Sequence, residues 1–179
     1  MTCEVAPHHL FLTENDVQQL GPYGSMKPPL ATEADRAALW SELDIVDCIA
    51  TDHAPHTKAE KEREDPPPGV PGLETMLPLL ATAVADKRLT LERLVELTHV
   101  APRRIFGLPA QPDTWVEVDF GARYTINRSR LHTKCGWSPF EGLDVQGQVQ
   151  RTILRGQAVF DQGNILTSPG SGNVVTRFN

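Results

Sequence analysis

The amino-acid sequence predicts an α/β protein in which helices alternate with short parallel strands, followed by a small β-rich subdomain. Three observations carry this expectation. Residues 45–50 form a nearly continuous apolar run of strand length, as expected where a parallel strand is covered on both faces. Leu73, Leu77, Leu80 and Val84 recur at helical spacing. After Leu108 the pattern changes, and Val116, Val118 and Phe120 alternate with Glu117 and Asp119 in the manner of a half-buried strand. The length of 179 residues allows one domain, or one and a piece.

Taken in order, residues 2–6 read as a short β-segment running into a loop at Pro7-His8-His9, and Thr13 opens a helix with a Thr-x-x-Asp pattern. Residues 21–30 hold Pro22, Pro28 and Pro29, which remove amide donors and displace their predecessors from helical geometry, so a shaped loop is expected. Thr32 starts the next helix, whose stripe of Ala34, Ala38, Leu39, Trp40 and Leu43 should face the core. The apolar strand then stops abruptly at Thr51-Asp52-His53-Ala54-Pro55-His56. From 57 to 72 a charged and then proline-rich segment reads as a long exposed loop, of a length that is commonly functional. Thr90 caps a helix carrying Leu91, Leu94 and Leu97, and Pro102 opens a last short helix closed by Gly107. These readings divide the chain into a β/α part at 1–108, a β-rich subdomain at 109–166 and a tail or linker at 167–179, rich in Ser, Gly and Asn.

Composition excludes several function classes. With 40% apolar and 22% charged residues the chain is neither disordered nor fibrous. Its net charge of -6 argues against a phosphate-neutralising surface, so no nucleic-acid partner is expected. The longest apolar stretch, near 76–85, is far short of the roughly 20 residues of a membrane span, so no membrane partner is expected either. Cys3, Cys48 and Cys135 are odd in number and form no Cys-x-x-Cys pair, which fits a reducing, cytoplasmic location.

The sharpest chemical feature is Asp52 with His53 and His56, set where a buried parallel strand delivers its carboxyl end to a long loop. Open α/β sheets and β/α barrels build their sites at that edge. A carboxylate beside two imidazoles can bind a metal and move a proton; the same residues would also suit a turn cap with solvent-facing histidines. Cys3, Glu4, His8 and His9 make a second cluster at a strand end, with zinc-type ligands but not the spacing of a structural zinc site, and they suit core and loop roles equally. Cys48 reads as core packing, and His99 and His132 as structural or exposed. Lys27 could offer a cation to an anionic substrate, or be merely solvated. Lys58, Lys61 and Arg63, among Glu60, Glu62, Glu64 and Asp65, read as a solvated mixed-charge loop.

Five segments together, Cys3-Glu4-Val5-Ala6-Pro7-His8-His9-Leu10, Lys27-Pro28-Pro29-Leu30, Thr51-Asp52-His53-Ala54-Pro55-His56, Pro71-Gly72-Leu73-Glu74-Thr75 and Trp137-Ser138-Pro139-Phe140-Glu141-Gly142, resemble the dihydroorotases of the cyclic amidohydrolase superfamily. The likeness is nearest to the dihydroorotase domain of animal multifunctional pyrimidine-synthesis proteins and covers nearly the whole chain. It implies the C-terminal part of a TIM-like (β/α)₈ metal-dependent hydrolase barrel with a β-rich subdomain. It also implies a zinc-dependent, reversible cyclisation of N-carbamoyl-L-aspartate to L-dihydroorotate, with two or more zinc ions in a complete site. Position by position, it makes Asp52 a metal ligand and general acid/base, Glu4 a ligand of an additional zinc, and His56 and the main chain at Pro68 substrate contacts. Lys27 falls where the animal domain has an arginine on the substrate, which keeps the charge but not the bidentate geometry.

A β/α barrel takes about 250 residues, whereas 1–108 suffice for about two or three of its units. The family's early His-x-His pair, its carboxylated lysine and its later zinc-binding histidines find no match here. The resemblance thus implies a C-terminal portion, whether a fragment, a truncated gene model or a short isoform, inactive by itself. Expected partners are the small-molecule substrate, the other part of the barrel, neighbouring pyrimidine-pathway domains and, in the complete protein, further copies of itself. The alternatives are a non-catalytic amidohydrolase-like scaffold and a hydantoinase-type cyclic-amide hydrolase.

Overall fold

The computed structural model describes residues 1–175; the last positions of the expected tail, 176–179, lie outside the described residues. Two short strands, β1 (Glu4–Val5) and β2 (Cys48–Ile49), lie parallel, with Glu4 opposite Cys48 and Val5 opposite Ile49. Between them run α1 (Pro7–Phe11), α2 (Glu14–Leu20) and α3 (Glu33–Ser41). Thr13 and Thr32 each form a capping box with the aspartate three residues on, Asp16 and Asp35, so local sequence alone sets both starts. Beyond β2 come the one-turn α4 (Lys58–Lys61) and α5 (Leu73–Ala85). A helical stretch follows: α6 (Leu91–Val95), a π-helical turn (Glu96–Val100) and α7 (Ala101–Phe106). Thr90 accepts the Arg93 amide, and Gly107 ends α7 in the left-handed conformation, both as expected.

Several expectations are corrected. Pro7-His8-His9 is no loop but the start of α1, because proline at the first helical position forgoes an amide that has no intrahelical partner there. The strand within 45–50 is confined to Cys48–Ile49; Leu43–Ile45 is a 3₁₀ turn that turns Ile45 to solvent. On α3 the stripe is narrower than expected, since Ala34 and Ala38 are exposed and Leu39 and Trp40 are only partly covered. In the charged segment after His56, Lys61 is fully buried rather than solvated.

The β-rich part is a four-stranded antiparallel sheet in the order β3-β4-β5-β6, with β3 Trp115–Thr125, β4 Asp144–Leu154, β5 Gln157–Asp161 and β6 Asn164–Ile165. Helix α5 packs on β4 at Gly147, where an alanine methyl would overlap that of Ala81. Two apolar clusters result. One joins Val5, Leu10 and Ile49 to Leu80, Leu94 and Leu97. The other draws Leu12, Met26, Leu30, Val70 and Leu79 against Ile126, Trp137, Phe140 and Val145, so both parts of the chain share it. Among the described residues no helix is long and apolar enough to cross a membrane.

Candidate active site

Asp52 follows the carboxyl end of β2 with φ of 46°, a left-handed backbone that aspartate tolerates better than most residues. The turn is anchored from both sides. The Ala54 amide donates to Val70 O at 3.1 Å. His53 Nδ1 accepts the Gly72 and Leu73 amides at 3.1 and 3.3 Å, which satisfies the first donors of α5. A Cβ at Gly72 would stand a tight 3.0 Å from Thr51 O, so the turn packs closely on glycine there. His53 Nδ1 is committed as an acceptor in this arrangement. The Asp52 side chain remains exposed.

Beside it lies a residue whose role the sequence left open. His8 is buried on α1, and its Nε2 has no hydrogen-bond partner. Burial pushes its pKa down to about 4; the nearby His9 adds to the fall and the Asp52 carboxylate opposes it. A neutral imidazole with an unpaired ring nitrogen therefore adjoins Asp52. His9 is turned elsewhere, its Nε2 lying 3.1 Å from Pro28 O in the proline loop, where the Lys27–Pro28 peptide is cis. Lys27 itself is exposed.

His56 Nε2 lies 3.2 Å from Pro68 O, so two of the sequence-expected substrate contacts meet each other. His56 Nδ1 stands 4.0 Å from Glu60, whose carboxyl is held below its usual range by hydrogen bonds from Thr57 and then by the charge of His56. The distant motifs converge here. The Trp137 indole donates to His56 O at 2.7 Å, and the Glu74 carboxylate accepts the His132 and Thr133 amides at 2.7 and 2.8 Å.

Glu4 stands apart from this group. Its charge is felt by Cys48, whose thiol pKa is raised first by burial and then by Glu4. Among the described residues no three His, Cys, Asp or Glu side chains come close enough together to hold a metal. Glu4 lies on β1, opposite Cys48, whereas Asp52 lies in the turn beyond the end of the adjoining β2, and the orphaned His8 nitrogen marks a polar position near Asp52. The donor types fit a partial zinc ligand set, not a closed one.

An exposed carboxylate and imidazoles on loops at the carboxyl ends of parallel strands, with an antiparallel sheet packed alongside, define an amidohydrolase-type fold. A solved L-hydantoinase (dihydropyrimidinase) from Arthrobacter aurescens superposes with a TM-score of 0.92 at 32% identity, over 98% of this chain and 43% of that one. The inactive dihydroorotase-like domain of a Chaetomium thermophilum CAD-like multifunctional protein gives 0.75 at 30% identity, over 96% and 47%.

In sequence the chain is similar to dihydroorotases and to the multifunctional protein CAD. It is 51% identical to multifunctional protein CAD of Squalus acanthias over 98% of this chain and 8% of that protein. With dihydroorotase of Pyrococcus furiosus it shares 41% identity over 99% of this chain and 44% of that protein. The chain thus spans less than half the length of the curated relatives it matches. No family model matches it.

Proposed function

We propose that the chain carries the strand ends and substrate loops of a zinc-dependent dihydroorotase, interconverting N-carbamoyl-L-aspartate and L-dihydroorotate on the route to pyrimidine nucleotides. The observation that carries this reading is the bonded convergence of the loops bearing Asp52, His56, Pro68 and Lys27 at one edge. Asp52 would hold the zinc at the reacting carbonyl and Glu4 an additional zinc, each with further ligands from a part of the domain that this chain does not contain. When bound, zinc supplies Lewis acidity and lowers the pKa of water at the site. The residues of this chain do the rest. As water adds to the ring carbonyl carbon, the Asp52 carboxylate takes its proton. Asp52 returns that proton to the ring nitrogen as the C–N bond breaks, and cyclisation runs the same steps in reverse. Lys27 offers its ammonium to the substrate carboxylate, while His56 and the Pro68 main chain hold the ring. His8 stays neutral beside Asp52 and leaves its charge uncancelled.

In this reading the protein is cytoplasmic, adjoins other pyrimidine-pathway domains and self-associates when complete; this chain by itself is inactive. A hydantoinase-type activity is the second reading, favoured by the 0.92 TM-score to the Arthrobacter enzyme. Substrate profile separates the two. The chain would be co-expressed with the upstream half of a related dihydroorotase, loaded with zinc and offered dihydroorotate, dihydrouracil and a 5-substituted hydantoin. Hydrolysis of dihydroorotate at least about tenfold faster than of the uncharged rings supports the first reading, since loss of a charged contact costs about 1.5–3 kcal/mol. Preference for hydantoin supports the second. Silence toward all three in a folded complex supports a non-catalytic scaffold.

A further inference from the structure

Two separate loops meet on one ammonium group. Lys61 closes the one-turn α4, and its side chain turns inward until none of it is exposed. Its Nζ donates to Ser25 O at 3.0 Å, Pro67 O at 2.9 Å and Gly69 O at 3.3 Å. An ammonium carries three N–H donors, so these bonds use its full capacity. The same nitrogen lies 5.7 Å from the centre of the Trp137 ring, whose quadrupole favours a cation.

The choice of partners is informative. Pro67 and Gly69 flank Pro68, and Ser25 lies two positions before Lys27. Ser25 O accepts the Gly69 amide as well, at 2.9 Å. Trp137 passes the link on through its indole bond to His56 O. Main chain beside each of Lys27, His56 and Pro68 is therefore tied to Lys61 directly or through Trp137. Burying an ammonium costs several kcal/mol unless its donors are satisfied. Here they are satisfied only while both loops keep this arrangement, and burial holds the lysine pKa below its usual value.

We propose that Lys61 is a positioning residue of the substrate site: it fixes the main chain at Ser25, Pro67 and Gly69, so that Lys27, His56 and the Pro68 carbonyl are presented to one ligand. The ligand in this statement rests on the dihydroorotase reading, whereas the loop clamp does not. Lys61→Met keeps the stem and removes the donors, and Lys61→Arg restores charge and donors.

Amide exchange followed by NMR on the 179-residue chain tests the clamp. In Lys61→Met the Gly69 and Ala54 amides are expected to exchange at least about tenfold faster, with those of Leu79–Ala83 in α5 unchanged and with partial recovery in Lys61→Arg. Unchanged rates at Gly69, or equal acceleration throughout α5, overturn the proposal, the latter because Lys61 would then be a general core residue. In the zinc-loaded complex with the upstream half, Lys61→Met is expected to raise the KM for dihydroorotate about tenfold with kcat little altered. A fall in kcat at constant KM contradicts it. If the unsubstituted complex hydrolyses no dihydroorotate, the dihydroorotase reading fails, and the exchange rates still decide the clamp.

Discussion

At the scale of single residues, Asp52 combines chemical exposure with backbone strain. Its φ of 46° lies where glycine is at ease and a side chain costs about 1 kcal/mol. Asp52→Gly is therefore expected to leave the chain as stable as the parent or up to about 1 kcal/mol more so, while Asp52→Ala, which keeps the strain and loses the carboxylate, is not stabilising. Urea titrations of the two variants check the order; a clear loss of stability in Asp52→Gly would show that the carboxylate has a structural role. How much of the site the sequence discloses differs residue by residue. Asp52, His56 and Pro68 stand in compact motifs, and their neighbourhood follows from being at one strand end. His8 and Lys61 are different. Their burial depends on segments far away in the chain, and nothing within a few positions of Lys61, among four acidic residues, indicates that its ammonium turns inward to Ser25 and Gly69.

At the scale of elements, α5 is the post on which the site and the sheet are mounted. Its N-terminus takes His53 and, through Glu74, the loop after β3; its middle packs on β4. Gly147, with φ of 104°, permits that approach. Gly147→Ala combines overlap with backbone strain, and a loss of about 2–3 kcal/mol is expected in denaturant titration. Thr82 adds a polar link, accepting the Gln146 amide at 2.8 Å and donating to Pro78 O at 2.8 Å. Thr82→Val leaves the Gln146 amide without that partner and is expected to cost about 1–2 kcal/mol, measured the same way. Smaller losses at both positions would mean that the sheet is not anchored on α5.

Helix starts at Thr13, Thr32 and Thr90 are legible in the sequence because a cap is a local arrangement of side chain and amide. The helix at Pro7 is legible in principle, from proline at a first helical position, although the segment also suits a loop. The shortness of β2 was not legible: the apolar run 45–50 says that residues are covered, not that they pair, and Ile45 is left exposed by a 3₁₀ turn.

At the scale of the whole molecule, the β/α part and the sheet share the apolar cluster around Trp137 and Phe140, while other apolar surface is open. Leu73, Trp115 and Ile165 are each about half exposed, and among the described residues the parallel sheet contains only β1 and β2. Surface of this kind is suited to burial against more protein. The chain is expected to bind a hydrophobic dye such as ANS, with fluorescence falling severalfold when the upstream half of a dihydroorotase is added. Dye binding unaltered by that half would count against a shared barrel. The change from helical to alternating periodicity after Leu108 is visible in sequence, but the apolar core shared across it is not, because that core depends on Leu12, Met26 and Val70 meeting Ile126 and Val145.

In the proposed function this chain brings the proton-transferring carboxylate to a dihydroorotase site. The most direct test is dihydroorotate hydrolysis with added zinc by the chain alone, by the chain with the upstream half, and by the same pair carrying Asp52→Ala. Turnover is expected only in the pair with Asp52 intact, with a loss of at least about a hundredfold on its substitution. Equal turnover with and without Asp52, or no turnover in a folded pair, would contradict it.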